Sequence, residues 1–220
     1  GFNFQKMILL NKDEIAFPDP SLYHPQEGIM AIGGDLSPER LKWAYQLGIF
    51  PWFNEGEEIL WWCPDPRFVL FPREIKVSKS MRKILQKECF SFTENVCFEE
   101  VIKNCAQINR KNQQGTWISD EIIASYTLLH QQSIAKSIEV WQNENLVGGF
   151  YGIEVGSVFC GESMFSKVSN ASKAAFIYFV EKYKNKYQII DCQVHTNHLE
   201  SLGARMISKQ EYLHFLKTKT

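Results

Sequence analysis

The sequence predicts an α+β protein built from two parts. Residues 1–66 are expected to form a small N-terminal α+β domain, and residues 67–220 a larger domain with a mixed sheet flanked by helices. Three observations support this prediction. Loops rich in Pro, Trp and Gly fill the first part, the composition changes after the CPDPR motif, and strand and helix patterns then follow clearly. An apolar content of 45% is enough for a large buried core.

The N-terminal part contains one clear helix between short strands. Ser37 is a favoured N-cap residue, Pro38 suits the first helical position, and Gly48 ends the helix. The flanking strands are predicted at residues 7–10 and 59–62. With so few elements, this part is not expected to have a large core of its own.

The larger domain shows a regular order of elements. Hydrophobic periodicity and turn residues predict, in order, strand 67–71, helix 78–88, strand 90–94, helix 97–107, helix 119–132, strands 135–142, 146–155 and 157–163, helix 170–184, strand 187–194, helix 197–202 and strand 205–207. A last helix begins with the capping-box spacing of Ser208 and Glu211. From residue 90 onward this order resembles the acyltransferase fold of the GNAT superfamily. In that fold the reacting groups meet where the fourth and fifth strands diverge, here 157–163 and 187–194.

Charge and cysteine usage limit the classes of function. The net charge is −1, so any contact with nucleic acid must come from a local patch. No apolar run approaches the roughly 20 residues that span a bilayer, and there is no secretory signal pattern. The six cysteines include no C-x-x-C pair, and a chain of this size does not need disulfides. We therefore expect a cytoplasmic protein with reduced thiols and no membrane contact.

The stretch IIDCQVHTNH, residues 189–198, carries the densest group of reactive side chains. On a strand, residues i and i+2 point to the same face, so Asp191 and Gln193 are expected to share a face and Cys192 to point away. The pair is either two solvated residues at a strand edge or part of a site. The two isoleucines before it indicate burial and make an exposed edge the weaker interpretation.

Two other interpretations of the same stretch use its cysteine and histidines. Cys192, His195 and His198 are ligand types that suit zinc, but a strand followed by a turn places them poorly, and no matching fourth ligand lies nearby. Cys192 paired with a histidine base would be a nucleophile. Nothing in the sequence distinguishes this cysteine from a small buried hydrophobic residue. Surface or helix-capping histidines are the simpler interpretation.

A second candidate site is FCGESMFSK, residues 159–167. The alternation of a strand places Phe159, Gly161 and Ser163 on one face and Glu162 on the other. Burying a lone carboxylate is costly, so Glu162 is either a member of a structural ion pair or a site carboxylate that holds a cation. We favour the second interpretation.

Two further features indicate contact with nucleic acid. The segment 73–87 carries six Lys or Arg against one Glu. Such a run is usually a solvated helix face, but one-sided charge in a near-neutral chain favours contact with a phosphate backbone. The residues concerned are Lys76, Lys79, Arg82, Lys83 and Lys87. The second feature is a set of loop tryptophans, which either complete a core or stack on a nucleobase: Trp52, Trp61, Trp62 and Trp117.

Several longer blocks carry a resemblance to one family. They include GIMAIGGDLSPERL, GIFPWF, ILWWCPDPRFVLFP, FCGESMFS and IDCQV, and together the blocks run from residue 17 to about 212. The chain resembles the leucyl/phenylalanyl-tRNA–protein transferases, with Cys63 where the family usually has Ser and Lys167 where it usually has Arg. The resemblance implies a bacterial enzyme of the N-end rule pathway. Such an enzyme moves Leu or Phe, and sometimes Met, from its tRNA to a protein that begins with Arg or Lys, without ATP, a metal or another cofactor.

The resemblance also implies roles for particular residues. Asp191 and Gln193 match the catalytic pair of the family, and Glu162 matches a site carboxylate that we expect to bind the cationic end of the acceptor. Trp52 and Trp117 match positions that hold the 3′ adenosine of the tRNA, and the basic segment would meet the phosphates of the acceptor stem. The donor amino acid is expected in an apolar pocket made by Phe150, Phe159, Met164, Phe176, Phe179 and Ile190.

Two other functions explain the sequence less completely. A GNAT-type acyl-CoA-dependent N-acyltransferase would need an R/Q-x-x-G-x-G/A loop for pyrophosphate, and residues 164–172 (MFSKVSNAS) lack it. A non-catalytic adaptor for cationic N-termini would explain Glu162 and Asp191, but neither the basic segment nor the tryptophans. The expected partners are therefore aminoacyl-tRNA carrying Leu, Phe or Met, and proteins with N-terminal Arg or Lys. The protein itself is expected to be a monomer.

Overall fold

The computed structural model describes residues 8–111, 117–193 and 197–217. The first part of the chain forms a four-stranded sheet with the strand order β1-β2-β4-β3, in which β1 and β2 are parallel and the other pairs are antiparallel. Its elements are β1 (Ile8–Leu10), β2 (Ile29–Gly33), α1 (Pro38–Gln46), β3 (Phe50–Pro51) and β4 (Leu60–Trp62). Strands β2 and β3 were not predicted.

Helix α1 has the predicted start and end. The Ser37 side chain accepts a hydrogen bond from the Arg40 backbone N–H at 3.3 Å, and Pro38 is the first helical residue. Gly48, with φ of 86°, follows the helix and turns the chain into β3. These local signals mark the ends of the helix, and burial of Leu41 and Ala44 against the rest of the protein stabilises it.

The second part of the chain forms a seven-stranded mixed sheet with the order β11-β5-β10-β9-β8-β7-β6. Its elements are β5 (Arg67–Leu70), a short 3₁₀ helix (Pro72–Glu74), α2 (Lys79–Lys87), β6 (Ser91–Glu94), α3 (Phe98–Lys111), α4 (Asp120–Gln131), β7 (Ala135–Gln142), β8 (Asn145–Val155), β9 (Val158–Ser166), α5 (Ala171–Tyr183), β10 (Ile189–Asp191), α6 (Asn197–Ser201), β11 (Arg205–Ile207) and α7 (Lys209–Lys217). The predicted α+β class, a mixed sheet flanked by helices, is confirmed. From β6 to β11 the elements follow the GNAT-like order expected from the sequence.

Helices cover both faces of the large sheet, because successive strand residues point to opposite sides. One face packs against α1, α3, α4 and α7, and the other against α2, α5 and α6. The first face is shared with the N-terminal sheet, since Trp61 of β4 and Ile102 of α3 belong to one buried cluster. The predicted division into residues 1–66 and 67–220 falls between the two sheets. It stays a prediction, because the two sheets have a core in common.

Strands β9 and β10 are the only parallel neighbours in the described part of the large sheet. Their pairing ends where Asp191 lies opposite Cys160, although β9 continues to Ser166. The strand predicted at 187–194 is therefore too long, since β10 covers only Ile189–Asp191 within the described residues. Beyond the last pair β10 ends while β9 continues, and the residues that follow this point in both segments line the candidate site.

Candidate active site

A cavity of about 410 Å³ lies where β9 and β10 diverge. It is lined by every residue that the sequence placed in the catalytic pair, the acceptor site, the donor pocket and the adenosine site: Trp52, Trp117, Phe150, Phe159, Glu162, Met164, Phe176, Phe179, Ile190, Asp191 and Gln193. Further lining residues, which had no predicted role in it, are Asn109, Tyr151, Gly161, Ser163, Cys192 and Leu199. Residues spread over more than half of the chain thus meet in one place.

A β-bulge in β9 shapes the cavity. Tyr151 of β8 lies opposite Ser163, but the next residue, Gly152, lies opposite Gly161, so that Glu162 is an extra residue in the ladder. A bulge reverses the alternation of side chains beyond it. The side chains after Glu162 therefore point to the faces opposite to those that counting from Phe159 would predict.

The prediction that Ser163 and Phe159 share a strand face is wrong because of this bulge. Phe159 packs against Phe179 of α5, with ring centroids 4.5 Å apart. The Ser163 hydroxyl instead hydrogen-bonds the Cys105 thiol of α3, on the opposite side of the sheet. The number of residues between two side chains does not reveal such a shift, because the bulge depends on the pairing with β8.

The cavity has an apolar half on the α5 side of the sheet. Its residues belong to one buried cluster or pack against it: Phe150, Phe159, Met164, Phe176, Phe179, Ile190 and Leu199. The rings meet edge to face or tilted, as between Phe150 and Phe179 at 5.2 Å. All six residues of the predicted donor pocket lie here. A pocket of this composition accepts a medium-sized apolar side chain and rejects a charged one.

The polar half lies on the α3 and α4 side and comprises Asn109, Tyr151, Glu162 and Ser163. Asp191 and Gln193 stand between the halves, since Asp191 directly follows Ile190 of the apolar half and the Gln193 Nε2 donates to Glu162 Oε1 at 3.0 Å. The cavity thus offers two different environments that meet at the predicted catalytic pair.

Asp191 and Gln193 meet through a turn, and not as two residues on one strand face. Gln193 follows the end of β10 and has a left-handed backbone, with φ of 52°. Its backbone N–H donates to Asp191 Oδ1 at 2.9 Å, an interaction that stabilises such a turn. The prediction that the two residues share a strand face is therefore wrong, because Gln193 lies in the turn that follows β10.

Arg67 is a site residue that the sequence reasoning did not single out. Its Nη2 donates to Asp191 Oδ2 at 2.5 Å, and both side chains are almost fully buried. Its Nη1 donates to the Gly48 carbonyl at 2.9 Å, and its guanidinium lies 4.0 Å from the Tyr212 ring centroid. Burial alone would lower the pKa of Arg67, but the Asp191 carboxylate raises it, so the ion pair holds. An arginine directly before the apolar run FVLF was the available signal.

Glu162 lies in a chain of hydrogen bonds with two tyrosines. The Tyr45 hydroxyl donates to Glu162 Oε1 at 2.5 Å and lies 2.6 Å from the Tyr126 hydroxyl. Burial raises the pKa of Glu162 to about 8, although the hydrogen bond from Tyr45 acts in the opposite direction. Burial also raises the pKa of both tyrosines well above the usual range, so they remain hydrogen-bond donors near neutral pH. Neither tyrosine was predicted as a site residue.

The tryptophans fall into two groups. Trp52 and Trp117 line the cavity, and Trp52 is 46% exposed while its ring packs edge to face on Trp62. Trp61 and Trp62 lie on β4 and not in a loop, and Trp61 is fully buried in the core. Of the two interpretations given for the tryptophans, completing a core is the one that holds for Trp61, because its ring has no accessible face for a base.

The basic segment is exposed, as predicted. All five of its candidate phosphate ligands are exposed, and α2 buries none of its residues completely: Lys76, Lys79, Arg82, Lys83 and Lys87. Lys76 precedes the helix, so it does not share the helical spacing of the others. Arg82 pairs with Glu181 of α5 at 2.8 Å. This pair leaves the lysines as the stronger candidates for contact with phosphate.

The alternatives based on cysteine and histidine gain no support. Cys192 lines the cavity, but burial raises the pKa of its thiol, which disfavours a nucleophilic thiolate. The described residues contain no group of three or more His, Cys, Asp or Glu arranged to hold a metal ion. His195, one of the three ligands considered for zinc, lies outside the described residues. None of the helices in the described ranges has the length and apolar character needed to cross a bilayer.

Comparison with known proteins places these features in context. The sequence profile described as leucyl/phenylalanyl-tRNA protein transferase matches residues 69–217, and the profile of that family's N-terminal domain matches residues 34–65. The chain is 61% identical over 214 residues to a leucyl/phenylalanyl-tRNA–protein transferase of Flavobacterium johnsoniae, covering 97% of this chain and 100% of that protein. A protein of the same name from Christiangramia forsetii is 53% identical over 213 residues, covering 96% and 100%.

One solved structure of an acetyltransferase is also similar. The ribosomal-protein-alanine N-acetyltransferase from Brucella melitensis biovar Abortus 2308 covers 51% of this chain and 85% of its own, at 11% identity. Its TM-score of 0.37 is too low to support a conclusion about the fold.

Fold and cavity together define the class of protein, an α+β protein whose cavity offers an apolar and a polar environment side by side. The profile match covers most of the chain, and the relatives match along nearly their whole length. The chain therefore belongs to the leucyl/phenylalanyl-tRNA protein transferase family.

Proposed function

We propose that this protein transfers Leu or Phe, and also Met, from aminoacyl-tRNA to the N-terminal Arg or Lys of acceptor proteins. The product would carry an N-end rule degradation signal. The observation that carries this proposal is the divided cavity, whose apolar and polar halves meet at Asp191 and Gln193. Such a cavity holds an apolar donor side chain and a cationic acceptor terminus close to each other, which is what transfer between them requires.

The donor would bind with its side chain in the apolar half. Such a pocket discriminates weakly between similar apolar side chains, because one methylene is worth only about 1–3 kcal/mol. This is consistent with more than one accepted amino acid. Trp52 and Trp117 at the cavity would stack on the 3′ adenosine. Lys79 and Lys83 on α2 would contact phosphates of the acceptor stem, so transfer is expected to weaken as salt concentration rises.

Transfer begins when the α-amine of the acceptor attacks the ester carbonyl carbon of the aminoacyl-tRNA. The new C–N bond forms and the ester C–O bond breaks, and the proton lost by the amine ends on the tRNA 3′ oxygen, which leaves as a hydroxyl. The ester is already activated, so the main contribution of the protein is to position the two substrates. Since the Gln193 Nε2 donates to Glu162, its Oε1 is the atom left to accept a hydrogen bond from the amine.

Asp191 is better suited to positioning than to proton transfer. Its Oδ2 accepts from Arg67, and its Oδ1 accepts from the Gln193 backbone N–H. Both oxygens are thus engaged, and the arrangement fixes the turn that presents Gln193. We propose that Asp191 orients Gln193 and adds negative charge near the amine, which stabilises the positive charge that develops during attack.

Glu162 would bind the acceptor terminus. Its pKa of about 8 lies close to the pKa of an α-amino group, about 7.7–8.0. Binding of a positively charged terminus beside Glu162 would favour the ionised carboxylate, so acceptor binding would lower this raised pKa. The chain of hydrogen bonds through Tyr45 and Tyr126 holds the carboxylate in place.

A transfer assay at low salt tests the proposal. Purified protein is mixed with labelled Leu-tRNA and with a model protein that begins with Arg, beside one that begins with Ala. We expect label on the Arg protein only, and none with Asp191→Ala. Cys192→Ser serves as the matched control, because a lining residue with no proposed chemical role should retain transfer. Absence of label with intact tRNA binding would contradict the enzyme assignment and point to an adaptor.

A further inference from the structure

Tyr151 of β8 is a buried lining residue whose hydroxyl has no hydrogen-bond partner among the described residues. Its ring is fixed by edge-to-face contacts with Phe98 at 5.8 Å and Tyr126 at 6.1 Å. A buried polar group left without a partner costs about 1–3 kcal/mol, so such groups usually have a functional explanation. Because Tyr151 is one of the residues that line the cavity, a substrate group bound there is a candidate partner for this buried hydroxyl.

The surroundings of the hydroxyl define the chemistry of that atom. Asn109, Glu162 and Ser163 line the same half of the cavity, and each offers an acceptor oxygen. The described lining residues include no Lys, Arg or His. A group rich in donors and positively charged is therefore the complementary ligand. An ammonium or a guanidinium meets both requirements.

The position of Tyr151 shows which cation it would meet. The α-amine must lie at Gln193, beside the apolar half that receives the donor. Tyr151 lies further from the apolar half, because it is opposite Ser163 on the neighbouring strand and packs under α3 and α4. A side chain that extends from an amine at Gln193 into the polar half would reach this region.

We propose that the Tyr151 hydroxyl accepts a hydrogen bond from the cationic side chain of the acceptor's first residue, which makes Tyr151 a determinant of acceptor specificity. This inference rests on the proposed function and assigns a residue to its acceptor site. The hydroxyl has no partner among the described residues, so the acceptor's cation would supply a hydrogen bond that those residues do not provide.

Tyr151→Phe tests the proposal, because it removes the hydroxyl and keeps the ring. Calorimetry would measure binding of the dipeptides Arg-Ala and norleucine-Ala, whose first residues differ in the cation. We expect the Kd of Arg-Ala to rise about 10-fold and the Kd of norleucine-Ala to stay the same. The KM for the acceptor protein should rise in parallel, whereas the KM for aminoacyl-tRNA should not change.

The same variant has an opposite effect on stability. Removing an unpaired buried hydroxyl should raise the Tm of the free protein by about 2–4 °C. Tyr178→Phe is the matched control, since that hydroxyl donates to Glu94 at 2.9 Å and lies outside the cavity. It should lower the Tm and leave both KM values unchanged.

Three results would overturn the proposal. They are an unchanged Kd for Arg-Ala in Tyr151→Phe, an equal loss for both dipeptides, and a rise in the KM for the donor as large as that for the acceptor. Because dipeptide binding is measured directly, this result does not depend on transfer. A wild-type protein that binds Arg-Ala but transfers nothing would contradict the proposed function and leave the role of Tyr151 in cation binding supported.

Discussion

The two halves of the cavity lie on opposite faces of one sheet and are held in different ways. The apolar half consists of rings packed on one another, as between Phe150, Phe159 and Phe179, and needs no partner outside its own cluster. The polar half depends on hydrogen bonds between distant parts of the chain, such as those from Tyr45 to Glu162 and from Arg67 to Asp191.

This difference has a consequence for sensitivity to change. Packing energy is spread over many small contacts, so an apolar wall tolerates the replacement of one ring by a similar side chain. Buried polar groups depend on a few specific partners, and loss of one partner leaves another group unsatisfied. The polar half and its junction should therefore be more fragile than the apolar half.

The largest effect is expected from Arg67→Met, which leaves Asp191 buried without its cation. The free energy of unfolding should fall by about 3–5 kcal/mol. Urea unfolding followed by tryptophan fluorescence measures this loss. The double variant Arg67→Met/Asp191→Leu should recover most of it, because replacing both partners by apolar residues is often close to neutral. A single variant as stable as the double one would show that the ion pair does not hold this region.

The next effect concerns Glu162 and pH. The pKa of this carboxyl is 4.5 when unperturbed and about 8 in the folded protein, so the folded state binds the proton more tightly. The tighter proton binding of Glu162 in the folded state therefore makes its full contribution to the free energy of unfolding below pH 4.5. This contribution is lost as the pH rises towards 8. Relative to Glu162→Gln, the wild type should lose on the order of 3 kcal/mol between these limits. Unfolding of both proteins at several pH values measures the difference.

The same variant links stability to function. Glu162→Gln should raise the KM for the acceptor more than the KM for aminoacyl-tRNA, because the cationic terminus loses its carboxylate. Glu154→Gln is a matched control on the neighbouring strand β8, since Glu154 does not line the cavity. An acceptor KM that stays at the wild-type value would remove Glu162 from the acceptor site.

A smaller effect is expected in the apolar half from Phe179→Leu. The substitution enlarges the pocket, so the ratio of kcat/KM for Phe-tRNA to that for Leu-tRNA should rise about 10-fold, or about 1.4 kcal/mol. The KM for the acceptor should not change. Competition between the two labelled donors in one reaction measures the ratio. A change in the acceptor KM of similar size would show that the two halves are not independent.

The smallest effect is expected from Tyr45→Phe, which removes one donor to Glu162. The hydrogen bond from Tyr45 lowers the pKa of Glu162, so its loss should raise that pKa further. The pH at which Glu162 loses its stabilising effect should move upward, and stability at pH 8 should fall by about 1 kcal/mol. The pH series used for Glu162→Gln measures both. A downward shift would contradict the assigned hydrogen-bond direction.

Local signals in the sequence predicted most of the fold. The capped helix that begins after Ser37, the strand at 135–142 and the order of elements from residue 90 onward all follow from periodicity, caps and turns. Strands β2 and β3 were missed because they are short and their pairing with β4 is not visible locally. The positions of Asp191, Gln193 and Glu162 in one cavity were also predicted, largely through the family resemblance.

What could not be predicted depends on contacts between distant residues. Arg67 and Asp191 are 124 positions apart, and Tyr45 and Glu162 are 117 apart, so no periodicity connects them. The bulge at Glu162 likewise depends on the register with β8 and not on the composition of β9. Side chains that follow a bulge or a left-handed turn cannot be assigned to a face by counting residues.

The alternation of Phe150 and Tyr151 on β8 has a consequence for protein engineering. These neighbours in sequence face different halves, and under the proposed assignment one contacts the donor and the other the acceptor. A library that randomises Phe150 and Met164 could therefore be selected for unnatural donor amino acids while the acceptor requirement is retained. Variation at Tyr151 and Asn109 would address new N-terminal tags in the same way. Substitutions selected separately for the donor and for the acceptor could then be combined in one enzyme.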